Sequence, residues 1–180
     1  TLFPYTTLFR SDVRIAAAEA LGDCQDMSAI APLRLLLNDR DAWVQAAALR
    51  SLVQLAGDDA LPDLIQLWEQ GDEVVQLACL EAFEQVAATA GLAAISPDLG
   101  RHDGEVLKGA IELLYRHDLS LLLPWFNHIL CHQDWDVRIT AVRASSALPV
   151  EERMTLLRMA LDREDNDLVR AEINAQLGTA

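Results

Sequence analysis

Small and apolar residues recur along the chain with a period of 31 residues. Valine occupies the same place in each period, at Val13, Val44, Val75, Val106 and Val137, and once more, one residue late, at Val169. In most of the repeats small residues follow the valine at positions three, four and seven, and leucine usually follows at position eight, which places all of them on one helical face. The pattern predicts six helices, and the small side chains on this face let a neighbouring helix approach closely.

Aspartates form a second series in the same register. They lie 31 residues apart at Asp41, Asp72, Asp103, Asp134 and Asp165, and each of the first four precedes a valine by three residues. A carboxylate one turn before a helical face can accept hydrogen bonds from exposed backbone N–H groups and offset the helix dipole. We therefore predict that all five aspartates are helix caps and that none is a catalytic carboxylate.

A second set of helices is predicted between the valine helices. Four of them lie at about 31–37, 61–68, 92–100 and 123–131, and most begin near a proline. Proline suits the first turn of a helix, where its missing N–H would have no partner in any case. Pro97 makes the helix around 92–100 the shortest and least regular. The chain is therefore predicted to be all-α, with five helical pairs and an unpaired helix at 12–22.

The string Asp-x-x-Val-Arg-x-Ala-Ala-x-x-Ala-Leu resembles HEAT repeats, in particular the short bacterial type that also occurs in phycobilisome lyases. The resemblance covers residues 12–180 and implies an α-solenoid of about five and a half helical hairpins in a right-handed superhelix. In that family the aspartate often pairs with the arginine after the valine in an adjacent repeat. The resemblance here implies an interrupted ladder of such pairs. The arginine is kept as Arg14, Arg138 and Arg170, and it is replaced by Gln45, Gln76 and Leu107.

The first eleven residues, TLFPYTTLFRS, do not fit the repeat. They match the in-frame translation of a widely used sequencing-library adapter at every position. They also lack the basic start, long apolar run and small-residue cleavage site of a signal peptide. We expect residues 1–11 to be non-native and residues 12–180 to be a repeat stack from a longer protein.

Composition and charge narrow the possible functions. Hydrophobic residues make up 52% of the chain, which is typical of a folded protein. The net charge of −14 repels phosphate groups, so we expect neither a nucleic acid nor a membrane as partner, and a HEAT-fold nucleic-acid enzyme would need a basic groove. The three cysteines lack paired spacing, which favours a cytoplasmic protein with reduced, buried thiols.

Motifs for catalysis are absent from the sequence. It contains no nucleophile elbow, glycine-rich phosphate loop, zinc-protease motif or dinucleotide fingerprint. We therefore expect no enzyme, no cofactor and no obligate small molecule. The spacing of His128, Cys131 and His132 would place them near one helical face, as metal ligands often are. Because no second ligand pair accompanies them and Cys131 continues an apolar stripe, we expect no metal.

The four tryptophans fall near repeat junctions, at Trp43, Trp68, Trp125 and Trp135. We expect them to pack between helical layers, because a buried indole contributes a large apolar surface. The alternative for Trp135, which lies between two aspartates, is an exposed aromatic ring at a turn.

A candidate binding surface follows from the helical register. In HEAT-like stacks the second helix of each pair lies on the concave side, which commonly binds partners. If each valine points inward, the positions two, six and nine residues later point away from the core. In the middle of the chain they form a ridge of mixed charge and apolar side chains, at Leu77, Glu81, Glu84, Lys108, Glu112, Tyr115, Ile139 and Arg143.

We predict a non-catalytic scaffold or adaptor that binds a protein or peptide on this concave face. One alternative is a lyase-like or chaperone-like subunit that acts on a tetrapyrrole-bearing protein, which only the resemblance implies. The other is a plain solvated helical face without a partner.

Overall fold

The computed structural model describes residues 3–86 and 89–178, and it describes no side chains for residues 3–10, 89, 90 and 98. Every regular element in these ranges is helical and none is a strand, so the predicted all-α class is confirmed. Among the described residues, none of the helices combines the length and the hydrophobicity needed to cross a bilayer. The chain divides into two compact units, Thr1–Gly91 and Leu92–Ala180.

The first unit is built around its third helix. Its helices are α1 (Phe3–Asp23), α2 (Ile30–Leu36), α3 (Ala42–Ala56), α4 (Leu61–Gln70), α5 (Glu73–Gln85) and the start of α6 (Thr89–Ile95). Helix α3 packs against α1, α2 and α5, and α4 packs against α5. Between α4 and α5, Trp68 meets Phe83 edge-on, with ring centroids 6.2 Å apart. We call the helices that carry the recurring valines inner helices and the helices between them outer helices. The predicted pairs are present in this unit, since the outer helices α2 and α4 pack on the inner helices α3 and α5.

The second unit is built around α9. Its helices after α6 are α7 (Gly104–His117), α8 (Phe126–Ile129), α9 (Trp135–Ala144), α10 (Val150–Leu161) and α11 (Asp167–Leu177). Helix α9 packs against α7, α8 and α11, and α10 packs against α11. The predicted outer helices are shorter here, because 3-10 segments with proline in their first turn take their place at Ser96–Arg101 and Leu123–Trp125.

We call the six valines that recur with the 31-residue period the ladder valines. Five of them are buried in the core, at Val44, Val75, Val106, Val137 and Val169. Val13 is the exception, since it is 65% exposed. Helix α1 packs mainly on α3 and to a lesser extent on α2, and its Ala18 is fully buried. Val13 therefore lies on a part of α1 that no described helix covers.

Four of the predicted caps stand at helix starts. Asp41, Asp72, Asp103 and Asp134 are the N-caps of α3, α5, α7 and α9. Each carboxylate accepts a hydrogen bond from a backbone N–H of its own helix start, as Asp41 does from the N–H of Trp43 at 3.0 Å. The series thus fixes where each of these helices begins.

The prediction for Asp165 was wrong. Helix α11 is capped by Asn166, whose side chain accepts hydrogen bonds from the N–H groups of Leu168 at 2.9 Å and Val169 at 3.3 Å. The last valine is one residue late, so the helix start moves with it and the cap stays three residues before Val169. The side chain of Asp165 is 96% exposed.

The proposed boundary after residue 11 stays a prediction, as does the right-handed superhelix. Residues 1 and 2 of the adapter-like segment lie outside the described residues. Helix α1 begins at Phe3, so the helical backbone runs through the rest of that segment without a break at residue 11.

Candidate functional site

Two arginines that follow ladder valines join adjacent repeats. Arg14 donates two hydrogen bonds to Asp39, at 2.7 and 2.8 Å. Arg138 donates two to Glu164, both at 2.7 Å, and its side chain and that of Glu164 are only 12% and 3% exposed. Paired N–H donors on a planar guanidinium match a carboxylate in geometry and charge, which makes such bridges strong.

The acidic partners differ from those that the resemblance implied. The recurring aspartates Asp41 and Asp165 are not the main partners of the two arginines. The partners are Asp39 and Glu164, and each of them stands two residues before a helix cap. Its carboxylate also accepts a hydrogen bond from the backbone N–H of that cap, from Asp41 to Asp39 at 3.0 Å and from Asn166 to Glu164 at 2.9 Å. One carboxylate therefore ties the preceding inner helix to the start of the next one.

The electrostatics of both acids reflect this double role. The hydrogen bonds from Arg14 lower the pKa of Asp39 below its ordinary value. Burial by itself raises the pKa of Glu164, but the hydrogen bonds from Arg138 and from the N–H of Asn166 outweigh burial and lower that pKa. Both groups are therefore held in the charged form, which is the form that clamps the repeats.

The candidate metal ligands have separate roles. Helix α8 ends at Ile129, so Cys131 and His132 lie beyond it and do not share a helical face with His128. His132 accepts a hydrogen bond at Nδ1 from the N–H of Asp134 at 3.1 Å, and its Nε2 is 3.2 Å from a carboxylate oxygen of Asp103. His128 stands edge-on to Trp125. In the described part of the chain, no three His, Cys, Asp or Glu residues are arranged to hold a metal ion.

The cysteines correct another expectation. Cys79 is buried, and burial raises the pKa of its thiol. Cys24 and Cys131 are exposed, against the prediction of buried thiols. Both lie at the end of a helical segment and not on its packed face, so the 31-residue pattern could not predict whether they are buried.

The eight residues of the predicted ridge divide between the two units, three in the first and five in the second. Glu81, Glu84, Glu112, Tyr115 and Arg143 are exposed. Leu77 and Lys108 are half-buried, and Ile139 is only 8% exposed. Ile139 stands two residues after Val137 and was predicted to face solvent. Helix α9 has an inner helix on either side, α7 and α11, so a neighbouring helix covers this residue.

Lys108 is occupied within its own unit. It forms ion pairs with Glu105 and with Asp136, the latter at the start of the next inner helix. The hydrogen bonds with Asp136 and then Glu105 raise the pKa of the Lys108 ammonium group. Lys108 therefore joins α7 to α9, so we remove it from the set of candidate partner contacts.

A groove between α7 and α9, which we call the inner groove, brings three of the ridge residues together. Its volume is about 280 Å³, and it is lined by Ile111, Glu112, Tyr115, Arg116, Thr140, Arg143 and Ala144. The Tyr115 hydroxyl lies 3.3 Å from the Ser146 hydroxyl, and Arg143 lies 3.8 Å from Glu172 across an open surface. The groove thus combines an apolar floor with an aromatic ring and charges of both signs.

Sequence reasoning missed two of the polar residues in the inner groove. Arg116 follows Glu112 by one helical turn, so the same helical spacing could have identified it. Thr140 was assigned to the packed face because it stands three residues after Val137. Its hydroxyl donates to the Asp136 carbonyl at 2.9 Å, and the residue lines the inner groove.

Comparisons with known proteins give the chain its relatives. A family model described as HEAT repeats matches residues 6–84 and 92–178. A phycocyanobilin lyase subunit alpha from a Picosynechococcus species is 31% identical over 116 residues, which is 58% of this chain and 43% of that protein. A protein of the same name from Synechococcus elongatus is 41% identical over 63 residues, which is 35% of this chain and 23% of that protein. The chain spans less than half the length of these curated relatives.

Proposed function

Because the chain belongs to the HEAT-repeat family, we propose that it is a cytoplasmic, non-catalytic binding module that holds a segment of a partner protein in the inner groove. Repeat proteins of stacked helices commonly use their extended inner surfaces for binding. The observation that carries the proposal is the exposure of Glu112, Tyr115 and Arg143 around one groove, although the 31-residue pattern buries most of their neighbours.

The chemistry of the inner groove suits a peptide segment. Tyrosine and arginine are enriched among the residues that contribute most to protein interfaces. Charges of both signs fix the register of a bound chain and reject segments with the wrong charge order. A volume of about 280 Å³ is slightly below the range of clefts that enclose small molecules, ~300–1,000 Å³, so it fits a few partner side chains better than a whole cofactor.

The test exchanges two charges without changing the net charge of the protein. Peptides are first selected from a displayed random library on the wild-type protein, and their Kd values are then measured on the double variant E112R/R143E. We expect binding to weaken by about tenfold or more, because each exchanged charge now repels the group that it attracted. The Kd is measured by fluorescence anisotropy at a fixed salt concentration.

The control is the same exchange in the first unit, R50E/E81R. Arg50 and Glu81 also stand six residues after recurring valines and lie 3.8 Å apart on an exposed surface. Glu81 belongs to the predicted ridge, but it lies in the first unit and does not line the inner groove, so the proposal leaves it out of the site. Peptides selected on the wild-type protein should bind this control within about twofold of the wild type, since exposed positions away from a site contribute little. Equal weakening in both variants, or none in E112R/R143E, contradicts the proposal.

A second candidate function rests on the two relatives. Both are named as phycocyanobilin lyase subunits, so this chain could be part of a subunit that acts on a bilin-bearing protein. The protein should then bind phycocyanobilin, which is measured as a visible absorbance band that co-elutes with it in size-exclusion chromatography. Protein that binds its selected peptides but elutes without that band contradicts this second proposal.

A further inference from the structure

The second unit has another groove on its outer helices. This outer groove lies between the segment that contains α8 and helix α10, and its volume is about 460 Å³. It is lined by Leu123, Phe126, Leu148, Glu151, Glu152, Thr155 and Leu156. None of these residues lines the inner groove, and none belongs to the ridge that the sequence predicted.

The floor and one rim of the outer groove are apolar. Phe126 and Leu148 are buried beneath it, while Leu123 is an exposed large hydrophobic residue at its edge. Thr155 is exposed, but its hydroxyl already donates to the Glu151 carbonyl at 2.9 Å. A continuous apolar surface that is rimmed by polar groups is typical of an interaction site.

The apolar surface continues past Leu156. A smaller groove of about 190 Å³ lies on the other side of this residue and is lined by Leu130, Met159 and others. Leu156 lines both grooves, and Met159 is half exposed. An occupant can therefore place one apolar side chain on each side of Leu156, which indicates an elongated segment.

The other rim of the outer groove is acidic. Glu151 and Glu152 are exposed in the first turn of α10. In the described part of the chain, neither carboxylate has a hydrogen-bond or ion-pair partner. No basic residue lines the outer groove itself, and Arg163 lines the smaller groove on the far side of Leu156. A bound segment with lysine or arginine next to its apolar side chains would pair with both carboxylates.

We propose that the outer groove is a second docking site, and that its partner is an amphipathic protein segment with apolar residues one helical turn apart and flanking basic residues. Apolar burial against Phe126, Leu148 and Leu156 holds the segment, and Glu151 and Glu152 select its charge. Two sites on opposite helical layers would let one module join two proteins.

The probe is a short fluorescein-labelled helical peptide with two leucines one turn apart and flanking lysines. Two matched peptides carry serine in place of leucine or glutamate in place of lysine. The wild-type protein should bind the first peptide at least about tenfold more tightly than either matched peptide. Equal binding of the leucine and serine peptides overturns the proposal, because it would show attraction by the net charge alone.

The variants compare two acidic pairs with the same change in charge. E151K/E152K should weaken binding of the first peptide by about tenfold, and the milder E151Q/E152Q by about threefold. The control D58K/D59K changes two exposed acids in the first turn of a 3-10 helix in the first unit and should shift Kd by less than about twofold. Equal weakening by E151K/E152K and D58K/D59K contradicts an outer-groove site.

Two further measurements separate the occupants and the sites. E112R/R143E should bind the first peptide as the wild type does, so that failure of the inner-groove proposal leaves this result intact. Light scattering should give the same mass for the wild type and E151K/E152K. A wild-type dimer that the E151K/E152K exchange dissociates identifies a second copy as the occupant and overturns the proposed partner.

Discussion

Replacing Arg138 with methionine should destabilise the second unit by about 3 kcal/mol. The guanidinium of Arg138 holds Glu164, which is almost fully buried, with two hydrogen bonds of 2.7 Å. It also donates to the carbonyls of His132 at 2.8 Å and Gln133 at 3.0 Å. Methionine fills similar space but leaves a buried carboxylate without its counter-charge. Urea denaturation, with the free energy of unfolding extrapolated to water, measures the loss.

The matched control is Arg170 to methionine. Arg170 also follows a recurring valine, but it is exposed, and among the described residues it donates only to the carbonyls of Leu161 and Glu164. Its loss should reduce the free energy of unfolding by no more than about 1 kcal/mol. The double variant R138M/E164L should recover most of the loss in R138M, because it leaves no buried charge unpaired. Equal losses in R138M and R170M would show that the ion pair between Arg138 and Glu164 contributes no more to the free energy of unfolding than hydrogen bonds to backbone carbonyls do.

Replacing Trp68 with alanine should destabilise the first unit by about 3–5 kcal/mol. Trp68 is fully buried between α4 and α5 and meets Phe83 edge-on, so its removal leaves a large cavity between the two helices. Thermal unfolding, followed by circular dichroism, should show a much lower midpoint. The measurement is made on the whole chain, with urea denaturation to convert the shift into free energy.

Trp43 provides the control in the same unit. Its side chain is 61% exposed at the start of α3, so its replacement with alanine should change the free energy of unfolding by about 0.5 kcal/mol or less. The sequence predicted packing roles for both tryptophans, and only burial separates them. A large loss in the Trp43 variant, or a small one in the Trp68 variant, contradicts this assignment.

The repeat itself was predictable because the same types of residue recur at a fixed spacing. In five of the six inner helices a buried valine returns to the same face, and in four of them a capping aspartate precedes it by three residues. The sequence also contained the reason for the one wrong cap, since Val169 is a residue late and Asn166 keeps the spacing of three. The prediction failed there because it followed the aspartates and not the valines.

The two ion pairs that join adjacent repeats, Arg14 with Asp39 and Arg138 with Glu164, were harder to predict. The residues that stand two before the caps are Asp39, Gln70, Arg101, His132 and Glu164, which share no chemical type. Asp39 and Glu164 come to lie next to the preceding inner helix only when the repeats are stacked. Neither Asp39 nor Glu164 could therefore be identified from periodicity.

The candidate site was predicted in part. Position six of each repeat gave exposed residues, and Glu112 and Arg143 line the inner groove. Position two failed at Ile139, because α9 has an inner helix on either side, and at Lys108, because its ammonium group pairs with Asp136 of the next inner helix. The outer groove could not be predicted, because the register was used only to find the face opposite the valines.

Site-specific photocrosslinking tests the central claim, that the inner groove binds a segment of a partner protein. A photoreactive phenylalanine analogue replaces Tyr115 in the inner groove or, as control, the exposed Trp43 in the first unit, and a peptide selected on the wild-type protein is added. We predict that the peptide is crosslinked from position 115 and not from position 43, and that E112R/R143E abolishes the crosslink. Equal crosslinking from both positions, or none from position 115 when the peptide is bound, would contradict the account.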